Sequence, residues 1–90
     1  MSRYFYVYVL RSMKDDQFYV GFTTDLHGRL QEHKDGAVQS TKNRRPLILV
    51  YSEGCLNPKD ATQREKYLKT AWGKRYIKNR IKVYLTGFTP

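Results

Sequence analysis

Tyr8 and Tyr19 stand eleven positions apart, each inside a short run of β-favouring residues, Tyr6-Val7-Tyr8 and Tyr19-Val20-Gly21. Arg29 follows ten positions after the second tyrosine, His33 four after that, and Glu65 interrupts the apolar stripe of a later helix. Together these types suit metal-assisted cleavage of a phosphate ester. A guanidinium forks onto two phosphate oxygens and stabilises pentavalent phosphorus. An imidazole that titrates near neutrality can pass on a proton or polarise a phenol. A phenol with a pKa of about 10 is a poor base at pH 7 until a cation or imidazole lowers that value. One carboxylate, completed by substrate phosphate and water, is an ordinary arrangement for Mg²⁺.

Each residue also has a plainer use. Glu65 can pair with an inward arginine or a tyrosine, since structural ion pairs are common. Arg29 and His33 can flank their helix stripe with the long side chain reaching solvent. Strand tyrosines usually pack, and eight tyrosines in ninety residues means that most of these must.

The elements that would position these groups are legible. Residues 4–11 and 18–23 are rich in aromatic and β-branched types and are separated by polar, turn-forming Ser12 to Gln17, a hairpin pattern. Strand parity puts Tyr4, Tyr6, Tyr8 and Leu10 on one face and Phe5, Val7 and Val9 on the other. On the second strand Tyr19 and Gly21 oppose Phe18, Val20 and Phe22, so a matching register gathers tyrosines on one side and Phe/Val on the other. Gly21, a glycine within a strand, admits close approach of another group, here read as a substrate backbone.

Thr24 or Asp25 caps a helix with the stripe Leu26, Arg29, Leu30, His33, ending near Gly36. Residues 37–45 are polar and basic and fit either a loop or a short helix. Residues 46–53 read as a third strand whose unbroken apolar run predicts burial on both faces. Asn57-Pro58 starts a helix with the narrow stripe Ala61, Glu65, Leu68, Trp72. Gly73 is expected to break it from a last helix carrying Ile77, Ile81 and Tyr84. The order β-β-α-β-α-α predicts an α+β domain over residues 1–90, a three-stranded, mostly antiparallel sheet with flanking helices.

Seventeen Lys and Arg against eight Asp and Glu give a net charge of +9, which favours an anionic partner, either nucleic acid or an acidic membrane surface. Lys42, Arg44 and Arg45 before the third strand, and Lys69, Lys74, Arg75 and Lys78 on the C-terminal helices, are the candidate nucleic-acid contacts. No apolar run approaches the roughly 18 residues of a membrane span, and nothing in the C-terminal helices looks like an insertion face. Cys55 is the single cysteine, which excludes an intrachain disulfide and a cysteine zinc cluster and fits a reducing cytoplasm. The start, Met1-Ser2-Arg3-Tyr4, lacks a signal-peptide pattern. His27 and Cys55 read as structural.

In this order and spacing the residues resemble the GIY-YIG nuclease superfamily, specifically its small stand-alone bacterial proteins, over residues 4–85. Tyr6-Val7-Tyr8 stands at the first signature tripeptide, Tyr19-Val20-Gly21 at the second, residues 24–33 at the arginine-and-histidine helix, and Ala61 to Glu65 at the glutamate segment. The resemblance implies a metal-dependent DNA endonuclease, with Glu65 holding Mg²⁺ or Mn²⁺, Arg29 on the phosphorane, Tyr8 or Tyr19 deprotonating water, and His33 assisting. The first tripeptide lacks its glycine and isoleucine, Phe22 stands where some relatives carry a basic residue, and Asn43 is only a loose match to an asparagine of other members. Relatives in DNA repair or restriction often use an appended targeting domain, so the resemblance leaves substrate specificity open, with a protein partner for targeting as one candidate. The alternatives are a nucleic-acid-binding module that does not cleave or needs a partner, and a protein-docking domain. The sequence leaves DNA against RNA and the oligomeric state open.

Overall fold

The computed structural model describes residues 3–87; the first two residues and the last three lie outside it. Strands β1 (Phe5–Ser12) and β2 (Phe18–Thr23) are followed by helix α1 (Leu26–Lys34) and strand β3 (Leu47–Cys55). Helices α2 (Pro58–Leu68), α3 (Ala71–Arg80) and α4 (Lys82–Thr86) complete the order. The sheet runs β2-β1-β3 with both pairings antiparallel, as expected for the α+β class.

The hairpin register is the one parity required. Tyr8 lies opposite Gly21 and Leu10 opposite Tyr19, while Val9 faces Val20 and Val7 faces Phe22. Each face then recruits its own cover. Val7, Val9 and Val20 form a closed core with Ala61 and Leu68 of α2 and Ile77 of α3. On the opposite face Tyr8 and Leu10 are buried and Tyr8 meets His33 of α1. The helices start where the sequence marks them. Asp25 accepts from the N–H of Gly28 (3.1 Å), and Asn57 from that of Lys59 (2.8 Å) with Pro58 next. An ion pair between Arg64 and Glu53, with Arg64 over the Tyr76 ring (4.6 Å), ties α2 to β3 and α3.

Three expectations need correction. β3 is not buried on both faces: it is an edge strand paired only with β1, and Ile48 and Leu49 are exposed. A continuous apolar run cannot distinguish an inner strand from an edge strand beside a groove. The second helix ends at Leu68, not at Gly73, and Thr70 caps the next by accepting from the N–H of Gly73 (3.1 Å). Gly73 marks a close approach instead: a side chain there would overlap the backbone of Tyr67 and Leu68. Trp72 consequently leaves the stripe and is exposed, and Ile81 separates α3 from the short α4. The basic segment that fitted either a loop or a short helix is a turn closed by a short 3₁₀ helix, Lys42–Arg44. It is pinned to the end of β1, where Ser12 Oγ donates to the Arg44 carbonyl (2.7 Å).

Candidate active site

Tyr8, Arg29 and His33 converge on a single oxygen. Tyr8 Oη lies 2.8 Å from His33 Nε2, and Arg29 Nε–H donates to the same Oη at 3.4 Å. Parity places Tyr8 on the α1 side of the sheet, and the one-turn spacing of α1 brings both Arg29 and His33 over it. Tyr19 stands beside them. Its ring is edge-on to His33 with centroids 5.3 Å apart, and 6.5 Å from the ring of Tyr8. Tyr8 and His33 are fully buried, whereas Tyr19 is half-buried and Arg29 reaches solvent.

Gly21 serves this cluster in another way than predicted. The space left by its missing side chain is filled by the Tyr8 ring, which a Cβ at position 21 would overlap. The group that approaches it is therefore the phenol, not a substrate backbone. Phe22, next along, stacks on Phe5 within the apolar layer.

Burial raises the Tyr8 phenol above its ordinary value, Arg29 opposes that shift, and the negative charge of Glu65 adds to it. Burial likewise lowers His33, as does the charge of Arg29, and both favour the neutral imidazole. The bond to Tyr8, followed by that to Glu32, holds Arg29 firmly protonated. Glu65 acts on Tyr8 through its field; its carboxylate is bonded to Lys69 Nζ (3.1 Å), one turn along α2.

Among the described residues no three His, Cys, Asp or Glu gather as a metal cage. One carboxylate completed by phosphate and water is another arrangement that a divalent cation accepts, and Glu65 would be the carboxylate for it. That side chain is two-tenths exposed, and its negative charge is felt by the Tyr8 phenol.

Beside His33, a cavity of about 790 Å³ opens between α1 and β3. Leu10 and Leu49 line it with Lys14, Lys34, Lys42 and Arg45, and no acidic residue among those described does. Of the expected phosphate contacts, Lys42 and Arg45 are here. Arg45 is partly committed, donating to the Lys42 carbonyl (2.9 Å) and the Lys34 carbonyl (3.3 Å) at the end of α1. Arg44 turns instead toward Asp15 and the Phe18 carbonyl. Lys69 is on Glu65. Lys74, Arg75 and Lys78 ride on α3, which covers the opposite face of the sheet, and Arg75 rests on the Trp72 ring (5.1 Å). Asn43 lines the cavity.

The sequence reading missed Thr41, Lys14 and Lys34. Thr41 is fully buried, and its Oγ1 lies 2.7 Å from His33 Nδ1. It stands eight residues beyond His33 in a segment with no periodicity, so no spacing marked it. Lys14 and Lys34 were isolated charges that only the path of the chain brings together.

The GIY-YIG catalytic domain family matches residues 4–82. Among curated proteins the chain is 37% identical over 75 residues to UPF0213 protein YazA of Bacillus subtilis, covering 82% of this chain and 73% of that one. It is 39% identical over 66 residues to UPF0213 protein SH2523 of Staphylococcus haemolyticus, covering 72% and 79%. It is 36% identical over 83 residues to UPF0213 protein BLi00048/BL00536 of Bacillus licheniformis, covering 88% and 82%. No solved structure matches the chain. No described helix is long and apolar enough to cross a membrane. Matched over nearly its whole length, with the two tyrosines, arginine and histidine gathered on one face of its sheet, the chain belongs to the GIY-YIG family, a nuclease-type superfamily.

Proposed function

We propose that this protein is a divalent-metal-dependent endonuclease that hydrolyses phosphodiester bonds in DNA and works in the cytoplasm. The observation that supports it most is the meeting of a phenol, an imidazole and a guanidinium at Tyr8 Oη. Arg29, half-exposed, forks onto the scissile phosphate and stabilises charge as phosphorus becomes pentavalent. Burial raises the Tyr8 phenol, and Arg29 and a bound cation offset that rise. Tyr8, as phenolate, takes a proton from water as the water oxygen bonds to phosphorus, and the leaving oxygen departs with its electron pair on the opposite side. Glu65 would hold Mg²⁺ or Mn²⁺, which neutralises phosphate charge when bound. The cationic rim of the α1/β3 cavity carries the flanking backbone past His33.

Cleavage of labelled DNA with Mg²⁺ by the intact protein tests this. Arg29→Ala and Glu65→Gln are each expected to lose roughly a hundredfold or more in rate while keeping the native circular dichroism. Unchanged cutting by either variant would overturn the roles assigned here.

A second reading, binding without turnover or with turnover only beside a partner, is favoured by two observations. Tyr8 is completely covered, and Lys69 occupies the Glu65 carboxylate. Salt-sensitive DNA binding with no cleavage under any divalent metal would select it.

A further inference from the structure

Two fully buried hydroxyls, of Tyr8 and Thr41, lie on the two nitrogens of one buried imidazole. Each hydroxyl has one proton to donate, and a neutral imidazole has one nitrogen able to accept. The ring's own N–H must then donate to the other hydroxyl. Among the described residues the pair is thus one acceptor short, and one hydroxyl proton finds no partner there.

The two hydroxyls differ in what else they can meet. Thr41 Oγ1 makes no other hydrogen bond among the described residues. Its backbone is pinned on both sides, the N–H by the Val38 carbonyl (3.1 Å) and the carbonyl by the Arg44 N–H (2.9 Å). A buried proton stranded there costs about 1–3 kcal/mol. Tyr8 Oη instead adjoins Arg29, whose side chain is 34% exposed, and the half-buried Tyr19. Tyr8 is itself fully covered, and a phosphate that engages and shifts the exposed Arg29 side chain would open its Oη to an oxygen acceptor.

We propose that Thr41 donates to His33 Nδ1 and thereby fixes the imidazole as its Nε2–H tautomer, which donates to Tyr8 Oη. Tyr8 Oη then accepts from an imidazole N–H and a guanidinium N–H and aims its own proton toward the substrate side. His33 stabilises the phenolate and is not the base that makes it. The phenol O–H bond breaks with the proton passing to solvent hydroxide or a buffer base, and the electron pair stays on Oη. That phenolate then removes one proton from the attacking water. Thr41 touches neither substrate nor reacting atoms, so it is a positioning residue. Its part in cleavage rests on the endonuclease reading; the tautomer does not.

The deciding measurement is the ¹⁵N spectrum of the His33 ring in the intact, histidine-labelled protein above neutral pH. A protonated Nε2 with a bare Nδ1 is expected in wild type and in Thr41→Ser. A protonated Nδ1 in wild type would overturn the proposal, whether or not the protein cuts DNA. Thr41→Val keeps the shape and removes the hydroxyl, so it should populate the other tautomer. The groups facing Tyr8 are Arg29, Tyr19, His33 and Glu65, all retained in that variant. Its kcat at pH 7 is expected to fall roughly tenfold or more, the worth of one hydrogen bond to a charged group. The rising limb of its pH profile should move to higher pH with KM unchanged, and serine should restore both. A folded Thr41→Val with the wild-type profile would remove Thr41 from the reaction. If valine prevents folding, the wild-type and serine spectra still decide the tautomer. Absence of any cleavage would refute the endonuclease and leave the spectra to judge the hydrogen-bond chain.

Discussion

Alternate residues of β1 enter opposite environments. Val7 and Val9 point into a layer where Val20, Ala61, Leu68 and Ile77 form an apolar core. Tyr8, between them in sequence, points into the layer under α1, where its neighbours are an imidazole, a guanidinium and a second phenol. Both layers bury their β1 side chains, yet they are stabilised differently. The apolar side gains from removal of area from water, at roughly 25 cal/mol per Å², and tolerates small changes of shape. The polar side gains little net free energy from its hydrogen bonds but loses heavily when one partner is removed. A single strand thereby anchors the fold with one face and holds reactive groups in fixed geometry with the other.

If that division is right, damage to the two sides should have different signatures. Ile77→Ala empties part of the apolar layer and is expected to cost about 2–5 kcal/mol in urea unfolding. The molecules that remain folded should cut DNA at a rate within about twofold of wild type. Tyr8→Phe should do the reverse to activity, lowering it about a hundredfold or more, with a stability loss of about 1–3 kcal/mol from the stranded imidazole N–H. A large loss of specific activity in Ile77→Ala would mean that the apolar layer also sets the geometry of the cluster.

Gly21 is the position where the layers meet through the sheet's own backbone. Gly21→Ala drives a methyl into the Tyr8 ring, which is confined by His33 and Arg29 and cannot simply withdraw. The expected cost is about 1–3 kcal/mol of stability, as for overpacking elsewhere, with a drop in cleavage larger than that of Ile77→Ala. A fully active Gly21→Ala would show that the phenol is free to shift without consequence.

Much of this was legible before any coordinates. Parity alone assigned Tyr8 and Val9 to different faces, because a strand repeats every two residues and both faces had a consistent composition. Asp25 and Asn57 marked helix starts through local capping chemistry that needs no tertiary information. Arg29 and His33 were found by helical spacing. Thr41 was not, since its role arises from a turn that returns the chain to α1 after eight residues, and turns carry no period. Gly21 and Gly73 were noticed as glycines but given the wrong reason. A sequence shows that something comes close, and only the packing shows that it is the Tyr8 ring or the α2 backbone. The exposure of β3 was misjudged because apolar content reports what a strand can tolerate, not which neighbours it acquires.

The smallest expected effect concerns pH, and it separates the layers without touching the apolar one. His33 is held below its ordinary value of 6.5, first by burial and then by the positive charge of Arg29, with Glu32 opposing. Above that value the imidazole is neutral in both folded and unfolded chains, and its contribution to the fold is complete. As the pH falls through 6.5 the unfolded chain binds a proton that the folded chain still refuses, so stability declines. The decline continues until the lower, folded value is passed. Its slope cannot exceed about 1.4 kcal/mol per pH unit for a single proton. Urea unfolding of wild type and His33→Gln between pH 8 and pH 5 isolates the effect, because the glutamine is uncharged throughout. Wild type should lose more stability than the variant over the acidic part of that range. Parallel curves would mean that the imidazole takes up its proton inside the fold without resistance, and that the layer under α1 is far wetter than its closed packing implies.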